Sequence, residues 1–263
     1  MTPTPPEARP ILDAFWRDAP AVLRPHRAAI DAMLRPTVEI EPLPGQARAL
    51  GASGLFGPAF WLPDRPVPVT PAGARCALAA QIRLDEIDPG AEPGLVQFFF
   101  SPEDDFYGLD LGHPLEPAGM PVAYWDAQAL ARSGEAFAAG AAPPAGVRAC
   151  AVALSRTWML PAAADRAFVA IERLLPGADD DEMDAVWQAL SAQGHRFGGY
   201  AFFTQDDPRA GPTADWELLL QMDSDHARTG WDWGDLGVAN WFAPPGALAR
   251  RDFSRILRNW DCS

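Results

Sequence analysis

The densest group of residues able to do chemistry lies between Gln221 and Asn240, where Asp223, Asp225, His226, Asp232 and Asp235 are interleaved with Trp231 and Trp233. On an extended strand, residues two apart project from one face, so Asp223 and Asp225 are expected to present two carboxylates side by side. With Asp232 or Asp235 arriving from the following loop, the set has the all-oxygen character of a calcium or magnesium site. Asp223, Asp225, Asp232 and Asp235 are therefore the metal candidates. The same carboxylates can instead accept backbone N–H groups and hold a long turn in shape, and the sequence leaves both readings open. His195-Arg196 stands upstream; a histidine brought against Asp223 or Asp225 makes an acid–base pair, and otherwise it is a turn or interface residue. The ligand-binding candidates are His195, Arg196, Gln221, Asp223, Asp225, Trp233 and Asp235. The sequence has no G-x-S-x-G elbow, no H-E-x-x-H pair and no glycine-rich phosphate loop. No catalytic residue is assigned, and no cofactor is expected.

The elements that must position these residues read as short strands bracketed by glycine and proline, with helices at the periphery. Strands are expected at 78–82, 95–100, 147–154, 201–204, 216–222 and 237–242. Residues 8–34 carry apolar residues at helical spacing, but Pro20 and Pro25 divide them into two shorter helices. A short helix is expected near 126–133. Pro161 opens another, with Phe168, Ile171, Leu174 and Leu175 as its buried stripe. Asp179 and Glu182 have the spacing of a reciprocal capping box before a helix carrying Met183, Val186, Trp187 and Leu190, with Gly194 at its end. The segment 249–258 reads as a short amphipathic element whose Phe253, Ile256 and Leu257 dock while its arginines stay wet or pair with local carboxylates.

Two stretches of the chain lie over one another. Phe56-Gly57-Pro58-Ala59-Phe60 parallels Phe197-Gly198-Gly199-Tyr200-Ala201, and Leu78-Ala79-Ala80-Gln81 parallels Leu218-Leu219-Leu220-Gln221. Gly94-Leu95-Val96-Gln97 then parallels Gly237-Val238-Ala239-Asn240, and the offset stays between 140 and 143 residues throughout. This implies an α+β protein built on an internally duplicated β-rich unit, with antiparallel or mixed sheets and peripheral helices. The division is an N-terminal helical segment at 1–35, a first unit at 36–155 and a second at 156–263, packed together as one domain because each short sheet leaves an apolar face to cover. The matched Gln81 and Gln221 read as amides that tie a neighbouring turn to the sheet. Only the second unit carries the paired aspartates.

Thirty-five acidic residues against 21 basic ones leave a net charge of −14. That balance argues against binding nucleic acid and permits a partner with a basic surface. Cys76, Cys150 and Cys262 form no CxxC pair and read as reduced thiols. The chain shows no signal-like N-terminus and no apolar run of the ~20 residues that span a bilayer, so a cytoplasmic protein with no membrane partner is expected.

The stretches His195–Tyr200, Leu218–Asp225 and Trp233–Gly237, with weaker agreement at Asp252-Phe253-Ser254 and Cys262, resemble the YwqG-like family, a group defined by a domain of unknown function, DUF1963. Leu78–Gln81 and Gly94–Phe99 fit the same resemblance. It implies an α+β bacterial protein with a Gln-x-Asp-x-Asp and Trp-Gly-Asp pattern, and it carries no reaction. Accessory or immunity-type binding proteins are the broad company it suggests. The functional expectation is a soluble binding or interaction protein, the alternative being an enzyme or a small-ligand or divalent-cation binder using the Asp223–Asp235 region.

Overall fold

A computed structural model describes residues 4–115 and 119–263. The strands are β1 (Arg35–Leu43), β2 (Gly54–Leu55), β3 (Ala59–Trp61), β4 (Ala77–Arg83), β5 (Gly94–Phe100), β6 (Val122–Asp126), β7 (Phe137–Ala139), β8 (Cys150–Met159), β9 (Arg196–Gly198), β10 (Glu217–Asp223), β11 (Val238–Ala243) and β12 (Leu257–Asp261). The helices are α1 (Arg9–Asp18), α2 (Arg27–Asp31), α3 (Leu84–Ile87), α4 (Ala127–Ala131), α5 (Val169–Glu172), α6 (Asp180–Ala189), α7 (His226–Thr229) and α8 (Ala247–Arg250). Ten strands form one sheet in the order β12-β11-β10-β9-β1-β8-β2-β4-β5-β6, while β3 and β7 make a separate ribbon. The pairings between these strands are antiparallel rather than mixed; a parallel contact occurs as the isolated bridge Ala77–Ala141.

The sheet is built outward from its two longest strands. β1 and β8 pair from Arg35–Met159 to Leu43–Ala151. On one side β9 pairs with β1, and on the other β2 pairs with β8. Beyond them β10-β11-β12 and β4-β5-β6 continue in matching order. A register shift interrupts β10 between Leu218 and Leu220, and another interrupts β4 between Leu78 and Ala80. Such irregularities bend a sheet and increase its twist. The curl that results is large. Seven inter-strand steps would separate β5 from β11 by roughly 34 Å in a flat sheet, yet the rings of Phe98 and Trp241 lie 5.5 Å apart. Phe56, Phe98, Phe100, Trp231, Trp233 and Trp241 fill the inside of the curl.

Arg258 holds the curled edges together. From β12 it donates to the carbonyls of Leu115 and Met120 in the β5–β6 connection, and its own N–H donates to Pro114 O at 3.2 Å. A guanidinium suits this work because its several N–H groups can each take a carbonyl.

On the outer face, amide side chains pin irregular chain to both flanks of the sheet in the same way. Gln81 Oε1 accepts from Phe60 N, and its Nε2 donates to Leu50 O and Ala52 O at 2.9 and 2.6 Å. Gln221 Oε1 accepts from Phe202 N, and its Nε2 donates to Ala192 O and Gly194 O at 2.9 and 2.8 Å. The residue opposite each glutamine completes the bracket: Gln97 Nε2 donates to Phe60 O, and Asn240 Nδ2 donates to Phe202 O. All four amides are fully buried.

This bracket explains why 201–204 is not the expected strand. Its backbone groups are taken by Gln221 and Asn240 side chains instead of a neighbouring strand, and β9 at 196–198 occupies the ladder position. The Gly-aromatic overlay is also one residue out, since the ladders place Leu55, not Phe56, where Phe197 stands. The strand expected at 147–154 runs from Cys150 to Met159, so a boundary at 155/156 falls inside β8. Pro161 opens no helix; Asp165 instead caps a 3-10 turn by accepting from Ala167 N, and α5 is only four residues long. The capping box is present, with Asp179 and Glu182 bonded reciprocally at the start of α6, but that helix ends at Ala189, before Gly194. The segment 249–258 splits between α8 and β12, with Arg251 in the left-handed region at φ 56° between them. Its Arg258 is buried on backbone carbonyls rather than wet.

Gln221→Leu removes the partner of one N–H and two C=O groups in a buried setting. At about 1–3 kcal/mol for a buried polar group left unpaired, we expect urea denaturation to show a loss of about 3 kcal/mol, with a comparable loss for Gln81→Leu. A loss below about 1 kcal/mol in both variants would contradict the bracket.

Candidate functional site

The polar constellation around β10 assembles as its spacing suggests, but its groups face one another. Asp223 Oδ2 accepts from Gly194 N at 2.6 Å, and its Oδ1 accepts from Ser224 N. His195 is buried, with Nδ1 accepting from Asp223 N at 3.0 Å and Nε2 lying 3.4 Å from Asp225 Oδ2. The tautomer protonated on Nε2 satisfies both contacts, which leaves no ring nitrogen free to take a proton from a substrate. Asp225 caps α7 by accepting from Arg228 N and binds Arg228 Nε at 2.7 Å. The His195 bond, with those from Arg228, outweighs burial and holds the Asp225 carboxyl down to about 2.

The four metal candidates do not meet. Asp232 turns to His226 at 2.9 Å, and Asp235 lies exposed on the turn before Leu236. Among the described residues, no group of three or more His, Cys, Asp or Glu side chains is placed to hold an ion. Trp233 is fully buried in the aromatic interior, 5.4 Å from the Trp231 ring. Burial raises the Cys76 thiol to about 11 and pushes Cys150 up as well, so neither supplies a ready thiolate.

The opposite flank of the sheet shows what the constellation does. At the end of β4, Arg83 N donates to Ser53 Oγ at 2.8 Å, the bond that Asp223 N makes to His195 at the end of β10. Glu86 accepts from Ser53 N much as Asp223 accepts from Gly194 N. Arg196 Nη2 donates to Ala192 O, and Arg48 Nη1 donates to Leu50 O; each carbonyl is one that the local glutamine also binds. Burial lowers both arginines to about 10. Gly54 takes the ladder position of Arg196, and a Cβ there would stand 2.2 Å from Arg48 Cδ, so glycine leaves room for that stem. One geometry is thus held by a histidine and aspartates on one flank and by serine and glutamate on the other. A serine hydroxyl on one flank and an imidazole nitrogen on the other accept the same strand-end N–H.

Of the clefts elsewhere on the surface, two regions bear on binding. The first is built on the β5–β6 connection, where Phe106 and Leu111 are 52% and 69% exposed. They form a ridge shared by two adjoining clefts of about 390 and 250 Å³. Asp104 and Asp110 line one cleft, Asp206 and Asp261 line the other, and among the described residues no lysine or arginine lines either. Trp260 Nε1 anchors the ridge by donating to Phe106 O. The Trp-Gly-Asp turn adjoins it: a Cβ on Gly234 would touch Trp260 and Cys262, and the next residues, Asp235 and Leu236, are exposed. This ridge was missed in the sequence because 102–144 has weak periodicity; the available signal was Phe106 set directly after Glu103-Asp104-Asp105. The second region is a cleft of about 630 Å³ over the β1, β8 and β9 strands.

Also unforeseen is a buried ion cluster, in which Arg209 binds Asp165 at 2.7 Å and also Asp207 and Trp216 O. Asp165 in turn accepts from Ala201 N, so the cluster fixes the chain just before the Phe202 bracket.

Because the Asp225 carboxyl is held below its unfolded value, its bonds contribute stability above the ordinary carboxylate range, near pH 4, and that contribution is lost as pH falls through about 2. Asp225→Asn, which keeps the cap but removes the charge from the bonds to Arg228 and His195, is expected to be less stable at pH 7 by about 1–2 kcal/mol, with the difference closing towards pH 2 in urea titrations. A gap that stays constant over that range would contradict the assignment.

Residues 53–262 match a family model described as a domain of unknown function, DUF1963. The match runs from the serine that stands in for His195 to the cysteine beside the Trp-Gly-Asp turn, and leaves out β1 and the helices before it. No curated protein matches the chain.

Proposed function

The chain belongs to the DUF1963 family, whose description assigns no activity, and on that premise we propose that it acts as a binding protein for a partner with a basic surface. The observation that carries this reading is the Phe106–Leu111 ridge flanked by the exposed Asp104, Asp110 and Asp206, with no basic residue lining it among the described residues. The exposed Phe106 ring, the half-buried Trp260 and the exposed carboxylates of Asp104, Asp110 and Asp206 suit a segment bearing arginine or lysine beside an apolar side chain: the cation stacks on Phe106 or Trp260, and the apolar group enters a cleft. The net charge of −14 steers such a segment toward the protein from a distance. An immunity-type role, in which the partner is a basic toxin, is one form this binding takes.

The sheet also supports reading the two flanks as diverged copies of one unit. Matching strand order, matching bulges at Leu78/Ala80 and Leu218/Leu220, and matching amide brackets all favour duplication. On this reading β1 and β8 are the strands through which the copies join into one domain. The ridge takes Phe106 and Leu111 from the first copy and rests on Trp260 of the second, so it belongs to the joined protein.

The test is a fluorescence-anisotropy titration with a labelled peptide alternating arginine with leucine and tryptophan, alongside its glutamate counterpart. Saturable binding of the basic peptide is expected, weakening as salt is raised from 50 to about 300 mM. The double variant Phe106→Ser/Asp206→Asn is expected to lose at least about tenfold in affinity. Equal binding of the two peptides, or an unaffected double variant, would reject the ridge as the site.

A further inference from the structure

The cleft of about 630 Å³ over the sheet centre differs from the ridge in both position and chemistry. Its floor is Val38, Leu84 and Phe197, buried members of the apolar interior, and its walls include Ile87, Trp158 and Leu248. Its size falls within the range of small-molecule sites, which combine an apolar lining with a few polar groups.

Four charged residues line it. Arg156 lies 3.7 Å from Asp88, and the two largely neutralise each other. Glu7 is exposed on the N-terminal turn, where water screens it. Arg251 is only partly exposed, and among the described residues it forms no ion pair; its guanidinium makes a 3.4 Å contact to Leu248 O. The cleft therefore sets, beside a buried apolar floor, a guanidinium that forms no ion pair among the described residues. A ligand anion there would gain a charge-assisted bond to a group already partly desolvated.

We propose that this cleft binds a small carboxylate with an apolar body, the carboxylate held by Arg251 and the body lying over Val38, Leu84 and Phe197. The site is independent of the acidic ridge and has the opposite charge preference, so either can fail without the other.

The full chain is titrated calorimetrically with decanoate, 1-decanol and decylamine, each kept below its aggregation concentration. Decanoate is expected to bind at one equivalent and at least about tenfold more tightly than the alcohol or the amine. Arg251→Met is expected to remove that preference while leaving decanol binding unchanged, and Arg251→Lys to restore part of it. Both variants keep a Cβ at the same left-handed position, so neither adds backbone strain. Ile87→Trp, which fills the cleft, is expected to abolish binding of decanoate and decanol together. Equal affinity for decanoate and decanol, a preference for decylamine, an Arg251→Met protein that still prefers decanoate, or unimpaired binding by Ile87→Trp would each overturn the proposal.

Discussion

Four buried amides decide how this chain is arranged around its sheet. Gln81 with Gln97 on one flank, and Gln221 with Asn240 on the other, each clasp a stretch of chain that leaves the main ladder, at Phe60 and at Phe202. A backbone segment laid across an apolar sheet face would otherwise bury unpaired N–H and C=O groups at a cost of about 1–3 kcal/mol apiece. With the amides in place, aromatic residues on those segments cover the outer face: Phe60 and Trp61 join one apolar cluster, and Phe203 packs against Phe242 in another. The inner face is then free to curl on itself and enclose the tryptophans.

That constraint also sets the meaning of the His195–Asp225 constellation. The carbonyls of Ala192 and Gly194 must reach Gln221, so the turn before β9 has to be held at one height, and Asp223 and His195 hold it there. Ser53 and Glu86 do the same work beneath Gln81. Arginine is the other recurrent tool. All 21 basic residues are arginines, and Arg48, Arg196, Arg209 and Arg258 spend donors on backbone carbonyls rather than displaying their charge on the surface. The accessible ridge is correspondingly acidic, whereas Arg251 in the central cleft forms no ion pair among the described residues.

Much of the local structure was legible in the sequence. The apolar strands that carry Gln81 and Gln221 have their own pattern, and the Asp179–Glu182 box fixes the start of α6 through contacts three residues apart. Tertiary interactions account for what was not legible. The 201–204 segment has strand-like composition, but bonds from positions 221 and 240 decide its conformation. Arg258 looks like a surface arginine until the curl brings Leu115 and Met120 to it, and Asp165 meets Arg209 only after two loops cross. Of the candidate-site residues, Asp232, Asp235 and Trp233 lie apart, whereas His195, Asp223 and Asp225 converge. Their inward orientation depends on Gly194 and the backbone of β10, which spacing alone does not reveal.

Native-state hydrogen exchange followed by NMR at the amides of Phe60 and Phe202 tests the bracket most directly. Neither N–H bonds to another backbone group in the brackets, because each donates to a glutamine side chain. Both are therefore predicted to be protected to the level of the neighbouring β4 and β10 amides, exchanging only when the sheet opens. Exchange at the rate of an open loop at either position, while β4 and β10 remain protected, would contradict the account.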